Sequence, residues 1–256
     1  MMRRSLLPAL PCLAAWAIAG HGVPALLQVA VAVALVVPII PLVARVALQP
    51  IADASVLVLL IASLALHFLL SGLGLLFFGP EGSRTAPLVG GSLSLGGFSV
   101  SGQVLLMVGA AVVLSGLFFL AFERTVAGKA LRATAVNRIG ARLVGIRPAR
   151  TALLADVCAS LLAGLIGILV APVTTMYYDS GFLIGLKAFV AAIIGGLVSY
   201  PLTALGALAV GVVESFASFW SGALKDVIVF SLLIPVLLLR SFFSHHAEAD
   251  EEELDE

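Results

Sequence analysis

The sequence has very little charge. Only 11% of its 256 residues are Asp, Glu, Lys or Arg, whereas 61% are hydrophobic, and the mean hydropathy is +1.18. A soluble domain needs a polar shell around its core, and this chain has too little polar sequence to form one. The composition therefore excludes an ordinary soluble domain and predicts a membrane protein.

Cysteine is also scarce. The two cysteines, Cys12 and Cys158, each lie in an apolar run. Two isolated cysteines provide neither the ligand spacing of a metal site nor a disulfide framework. We expect both to be packing residues, and the sequence predicts no metal site.

The formal net charge of zero hides a strong asymmetry. The last eleven residues, HAEADEEELDE, hold seven of the fourteen acids, so the rest of the chain has a net charge of +7. The segment 123–150 alone holds seven of the fourteen basic residues: Arg124, Lys129, Arg132, Arg138, Arg142, Arg147 and Arg150. A basic segment between apolar runs is typical of a cytoplasmic loop, so it indicates membrane orientation rather than nucleic-acid binding. The acidic tail, 244–256, is predicted to be disordered.

The apolar runs predict an all-α, polytopic integral membrane protein with about seven to eight transmembrane helices in one domain over residues 1–243. The candidate segments are 1–20, 23–44, 54–78, 103–122, 151–172, 182–199, 201–220 and 224–240. Residues 1–20 fit a signal peptide or a first membrane helix, and we favour a retained helix because further spans follow. Segment 182–199 fits either a full span or a re-entrant one. With a cytoplasmic amino terminus and eight crossings, eleven of the fourteen basic residues lie inside.

Two segments carry local signals. Pro38 and Pro41 lie near the end of the second candidate span and predict a kink or a helix end there. In the loop that follows the third span, the run SLSLGGFSV (92–100) alternates in character and is compatible with a short extended piece.

Ser63, His67 and Ser71 are spaced by four residues and lie on one helical face. Such a face permits a nucleophile–base pair, and hence an intramembrane hydrolase. It equally permits a polar stripe that forms hydrogen bonds with neighbouring helices or its own backbone. We favour the stripe, because residues stacked on one helix rarely provide the geometry of a catalytic triad.

Three further charges lie within apolar segments. Placing Lys187 or Glu214 alone in lipid costs roughly 2.5–3.5 kcal/mol, so each is expected to face protein, water or the other. Their roles remain open between a polar lining of a translocation pathway and a structural pair, and we favour the pair. Asp156 lies close in sequence to Arg150, and we expect it to be an interfacial partner.

The basic segment itself predicts a helix from about Lys129 to Val144. The predicted stop is Gly145–Ile146, with Pro148 just beyond it. Small residues, among them Ala133 and Ala141, would allow close approach to another surface. The residues alone leave two interpretations equal: a helix that docks into a groove of another protein, and a loop that binds anionic lipid head groups.

The run GKALRATAVNRIGARLVGI (128–146) resembles the cytoplasmic coupling loop of ABC-transporter permeases of the branched-chain amino-acid class. That loop begins with G-x-x-x-R-A, has a mixed polar centre and ends with A-x-L-x-G-I. The matching positions here are Gly128, Arg132, Ala133, Asn137 in the centre, Ala141, Leu143, Gly145 and Ile146. Residues 177–215 and 225–240 are also similar to the family, and the resemblance covers roughly residues 45–240. The chain departs from the family pattern at both ends and at Val198.

The resemblance implies a permease subunit of an ABC importer for branched-chain or related amino acids in the bacterial inner membrane. Such a chain binds no cofactor, because ATP binds to partner ATP-binding cassette subunits. A second permease subunit, identical or homologous, and a periplasmic or extracellular substrate-binding protein complete the assembly. The coupling residues given above would contact the ATP-binding subunit. The alternative function is an ATP-independent channel or secondary carrier for a small solute.

Overall fold

The computed structural model describes residues 25–52, 54–95, 98–196, 199–222, 224–231 and 235. These residues form two compact units that divide between Tyr178 and Asp179. The predicted helix over 1–20, the acidic tail 244–256 and most of the segment 224–240 lie outside the described residues.

The described residues are predominantly helical, in agreement with the predicted all-α class. The first unit contains α1 (Ala25–Val36), α2 (Ile39–Val43), α3 (Val56–Phe78), α4 (Gly102–Arg124), α5 (Val126–Val136), α6 (Arg138–Leu143) and α7 (Pro148–Val170). The second unit contains α8 (Ser180–Ile194), α9 (Tyr200–Trp220) and α10 (Lys225–Ser231).

Five helical segments in the described part of the chain are long and apolar enough to cross a membrane. They are Leu27–Ile51, Leu57–Phe78, Gly102–Arg124, Pro148–Val170 and Tyr200–Trp220. Their large apolar side chains point outward; Leu76, Phe77 and Phe78, for example, are more than 80% exposed. An apolar exterior of this kind is stable in lipid and not in water, so the helices confirm the predicted membrane protein.

The first span is a bent helical path. Helix α1 ends at Val36, and α2 resumes at Ile39 and passes into a π-helical turn (Ala44–Leu48) and a 3-10 turn (Gln49–Ile51). Pro38 and Pro41 lack the N–H that a continuous α-helix needs, which explains the interruption. The predicted kink is confirmed.

Ser63, His67 and Ser71 form the polar stripe on α3, which we expected to hydrogen-bond to neighbouring helices or to its own backbone. Ser63 does so. The Ser63 hydroxyl donates a hydrogen bond of 2.8 Å to the Leu59 carbonyl one turn earlier. The His67 ring lies 5.5 Å from the ring of Phe68, measured between centroids. A serine hydroxyl that bonds its own helix backbone is a common arrangement in membrane helices.

An antiparallel hairpin connects α3 to α4. Strand β1 (Ser92–Leu95) pairs with β2 (Phe98–Ser101), with Ser92 opposite Ser101, so the extended piece suggested by the alternating sequence is present.

Gln103, which is only 2% exposed, fixes this loop to the rest of the first unit. Its Oε1 accepts a 3.0 Å hydrogen bond from Leu88 N, and its Nε2 donates one of 2.9 Å to Leu169 O. A buried amide needs such partners. The end of α7 is therefore joined to the start of α4.

The second unit has a small core in which α8 and α9 pack closely. Val190, Ala191, Val210 and Val229 form its buried centre. A Cβ at Gly206 would lie 2.6 Å from the Ala191 carbonyl oxygen, so only glycine permits this approach.

Helix α8 has 15 residues and is about 22 Å long, shorter than the roughly 30 Å of a bilayer core. The choice between a full and a re-entrant span over 182–199 therefore remains a prediction.

Candidate functional site

The basic loop forms two short helices, so the prediction of one helix from Lys129 to Val144 is wrong. Asn137 separates α5 from α6 with an extended backbone (φ −146°, ψ 101°). Its Oδ1 accepts a 2.8 Å hydrogen bond from Gly140 N and caps the start of α6. Asparagine competes well with helical backbone hydrogen bonds, which is the physical reason for the break.

The end of the loop follows the sequence prediction. Gly145 has a φ of +83°, and Ile146 N donates a 3.0 Å hydrogen bond to Ala141 O. Gly145 N donates to Arg142 O at 3.1 Å, which completes a Schellman motif. Pro148 then begins α7. The predicted stop at Gly145–Ile146 is confirmed.

The start of the loop is packed directly on the end of α4. The Thr125 hydroxyl accepts a 3.1 Å hydrogen bond from Gly128 N and caps α5. A Cβ at Gly128 would lie 2.3 Å from the Phe122 carbonyl oxygen. Arg132 pairs with Glu123 at 2.8 Å across the same corner. Gly128 is thus buried at this corner, whereas Arg132 pairs across it from the exposed side.

The loop presents an apolar surface to its surroundings. Its members are Val126, Val136, Ile139, Leu143 and Val144, which are 73–84% exposed. Ile139 and Leu143 are spaced by four residues and lie on one face of α6. We call these five residues the α5–α6 surface.

The eight coupling residues predicted from sequence divide between the inside and the outside of the loop. Ala141 is only 4% exposed, so it packs inside and the close-contact role predicted for it with a partner is wrong. Gly128 is also buried, whereas Ala133, Asn137, Leu143 and Gly145 are exposed and Ile146 is half-buried. Sequence reasoning missed Ile139 and Val136; their apolar character among arginines was the available signal.

A second group of charges lies in the second unit, where three helices meet. Lys187 Nζ on α8 lies 2.6 Å from Glu214 Oε1 on α9 and 2.9 Å from Asp226 Oδ1 on α10. Lys225 Nζ approaches Glu214 Oε1 at 4.0 Å. We call these four residues the α8–α10 charge cluster; its two cations and two anions cancel formally. The structure brings Lys187 and Glu214 together, and sequence reasoning missed Asp226.

Asp156 does not have the partner expected from sequence. It is half-buried on α7 and forms no ion pair with Arg150 or with another described residue. Six residues separate the two on the helix, which puts them on different faces. Among the described residues, no group of three or more His, Cys, Asp or Glu side chains could hold a metal ion.

The fold and the outward apolar helices define a polytopic α-helical membrane protein. Residues 8–237 match the family described as branched-chain amino acid transport system, permease component. The chain therefore belongs to this family, which is one of transport permeases rather than of enzymes.

Named relatives agree with the family assignment. The chain is 33% identical over 208 residues to the high-affinity branched-chain amino acid transport system permease protein BraD of Pseudomonas aeruginosa. It is 32% identical over 209 residues to LivH of Salmonella typhimurium, and 31% over 213 residues to a probable LivH of Methanocaldococcus jannaschii. These alignments cover 76–78% of this chain and 66–68% of each relative, so the chain spans about two thirds of their length. No solved structure matches the chain.

Proposed function

We propose that this chain is the permease subunit of an ABC importer for branched-chain or related amino acids, driven by partner ATP-binding subunits. The observation that carries the proposal is the α5–α6 surface. A loop between two helices that are long and apolar enough to span a membrane exposes Ile139, Leu143 and Val144 by 73–84%. Exposed apolar groups of this kind within a charged surround are typical of protein–protein contacts.

The partner's contact would be made by the outward residues of the loop. Leu143 and Ile139 would insert into an apolar groove of the ATP-binding subunit. Closure of two such subunits on ATP would then push on α6. The chain itself needs no bound cofactor in this scheme, because ATP and its hydrolysis belong to the partner.

The remaining parts of the assembly are those that the family resemblance implies. A second permease subunit, identical or homologous, would complete the pathway, and an external binding protein would deliver the amino acid. The excess of basic residues in 123–150 supports a cytoplasmic position for this loop and an inner-membrane location for the chain.

The test is capture of ATP-binding subunits. We expect the chain, purified in mild detergent from its host, to retain them. Leu143→Asp should lose them, because a carboxylate would be desolvated in an apolar contact. Insertion in the membrane should be unchanged, since Leu143 is 84% exposed and supports no internal packing.

Val89→Asp is the matched control. Val89 is 43% exposed in the loop before α4, and one membrane crossing separates it from the basic loop. Equal loss of the subunits in both variants would contradict a specific contact at Leu143. A chain that purifies without such subunits and passes solute into liposomes without ATP would be a channel or carrier instead.

A further inference from the structure

The first unit contains a cavity that the coupling scheme does not use. Its volume is about 610 Å³, and it is bounded by the end of the first span, α3, α5, α6 and α7. None of the α5–α6 surface residues lines it. Ligand sites commonly have volumes of roughly 300–1,000 Å³, so this cavity has room for a small molecule or a lipid head group.

One wall of the cavity carries a carboxylate. Asp156 lies about 12 Å along α7 from Pro148, and the other residues from Leu153 to Ala159 are apolar. It forms no hydrogen bond or ion pair with the described residues. An ionisable group within a membrane helix is costly, and it usually marks a binding site or a conduction path.

Another wall carries guanidinium groups. Arg138 and Arg142 on α6 both line the cavity, and Arg138 Nη1 donates a 3.0 Å hydrogen bond to Ala52 O. Arg142 forms no hydrogen bond or ion pair with the described residues, and a guanidinium carries five N–H donors. Arg142 and Asp156 have opposite charges and face one cavity, yet they are not paired with each other.

The charges restrict the ligand. A simple anion would be attracted by Arg142 and repelled by Asp156. A simple cation would be attracted by Asp156 and repelled by Arg142. A molecule with an ammonium group and an anionic group satisfies both. The rest of the wall is largely apolar, with Leu48, Leu59 and Leu131 among its members, and it would receive a hydrocarbon portion.

We propose that this cavity binds a zwitterion that has an apolar portion, with its ammonium group at Asp156 and its carboxylate or phosphate at Arg142. Two sources have this chemistry: a free α-amino acid with an apolar side chain, and the head group of phosphatidylethanolamine. A guanidinium binds either anion through paired hydrogen bonds. The site is distinct from the α5–α6 surface, and the proposal does not depend on the contact with ATP-binding subunits.

The first arm of the test asks about lipid. The full chain is purified in mild detergent from a membrane rich in phosphatidylethanolamine, and native mass spectrometry records the lipids that remain bound. If the lipid is the ligand, phosphatidylethanolamine stays on the wild-type chain and is lost from Asp156→Asn and Arg142→Gln. Arg150→Gln is the matched control, because Arg150 is exposed on the first turn of α7 and does not line the cavity.

The second arm asks about a free amino acid. The chain is placed in nanodiscs of phosphatidylglycerol alone, and binding of radiolabelled leucine is measured by scintillation proximity. Asp156→Asn and Arg142→Gln should each weaken binding roughly tenfold to a hundredfold, since each removes one charged hydrogen-bonding partner. Asp156→Glu, which keeps the charge, should retain binding. Isoamylamine and 4-methylpentanoate, which each lack one charged group of leucine, should compete at least tenfold less well than leucine.

The outcomes are decisive in both directions. Loss of either ligand in both variants, with Arg150→Gln unchanged, supports the site and identifies its source. Binding of neither ligand, or binding that both variants leave intact, overturns the proposal. Size-exclusion profiles and melting temperatures of the variants show that they remain folded, and capture of ATP-binding subunits by Asp156→Asn tests the coupling proposal separately.

Discussion

The basic loop and the α8–α10 charge cluster both place charged side chains in an apolar chain, but they use them in opposite ways. In the cluster, Lys187 lies within 2.9 Å of two carboxylates, and the charges neutralise one another. In the loop, Arg142 has no protein partner among the described residues, while Leu143 beside it is 84% exposed. The charges of the cluster therefore pair within the chain. The loop, in contrast, has a charge that is unpaired within the described part of the chain and an exposed apolar side chain, which would need a ligand or a partner protein to contact them. The residue type alone does not show whether a charged side chain is paired within the chain; its neighbours in the structure do.

The largest expected effect comes from breaking the cluster. Lys187→Met would leave Glu214 and Asp226 close together, with only the more distant Lys225, 4.0 Å from Glu214, as a cation. Removal of one partner from a buried ion pair costs about 3 kcal/mol or more, so we expect a markedly lower melting temperature in detergent.

The triple variant Lys187→Met, Glu214→Gln, Asp226→Asn is the control for this effect. It removes the two carboxylate charges that Lys187→Met leaves behind, and it should recover most of the lost stability, because the remaining cation, Lys225, is 39% exposed. If Lys187→Met transports normally and melts like the wild type, the pairing has no structural importance. If the triple variant is stable but does not transport, the cluster belongs to the pathway rather than to the scaffold.

A smaller effect is expected from Gly128→Ala in the loop. The added Cβ would lie 2.3 Å from a backbone oxygen of α4, which cannot move away as a side-chain end can. Overpacking of this kind costs about 1–3 kcal/mol. We expect weaker capture of ATP-binding subunits, because α5 would be displaced from α4.

Gly109→Ala is the comparison for Gly128→Ala. Gly109 lies within α4, and a Cβ there meets no atom within 4 Å. Capture should be unchanged in this variant. A normal interaction with Gly128→Ala would mean that the close packing of α4 and α5 does not matter for coupling.

The smallest effect is expected from Arg132→Gln. The pair of Arg132 with Glu123 is exposed, with side-chain exposures of 52% and 37%, and surface ion pairs contribute about 0–1 kcal/mol. The melting temperature should hardly change. A large decrease would show that the charges of the loop support the fold as those of the cluster do, and the contrast between the two regions would disappear.

The sequence predicts features that depend on local chemistry. The spans follow from long apolar runs, and the end of α6 follows from Gly145 and Pro148, because left-handed backbone and a missing N–H are properties of single residues. The resemblance also leads to the family that the comparisons show.

Other features depend on which face of an element packs against distant neighbours. Ala141 looks like a contact residue in sequence but is 4% exposed, since that face of α6 packs inward. Asp226 and the two hydrogen bonds of Gln103 join elements far apart in sequence, and no periodicity reports them. The number of membrane crossings and the roles of Lys187 and Glu214 remain predictions.

The contact at Gly128 has a mechanical consequence. The backbone of Gly128 packs against the backbone of Phe122, the Thr125 side chain caps α5, and Arg132 pairs with Glu123. These contacts hold the start of α5 tightly against the end of α4. Helix α4 is a rod about 33 Å long from Gly102 to Arg124. Its far end is fastened by the side chain of Gln103 to the end of α7. We therefore expect a push on the loop to tilt α4 about its opposite end, where Gln103 is held by its hydrogen bonds.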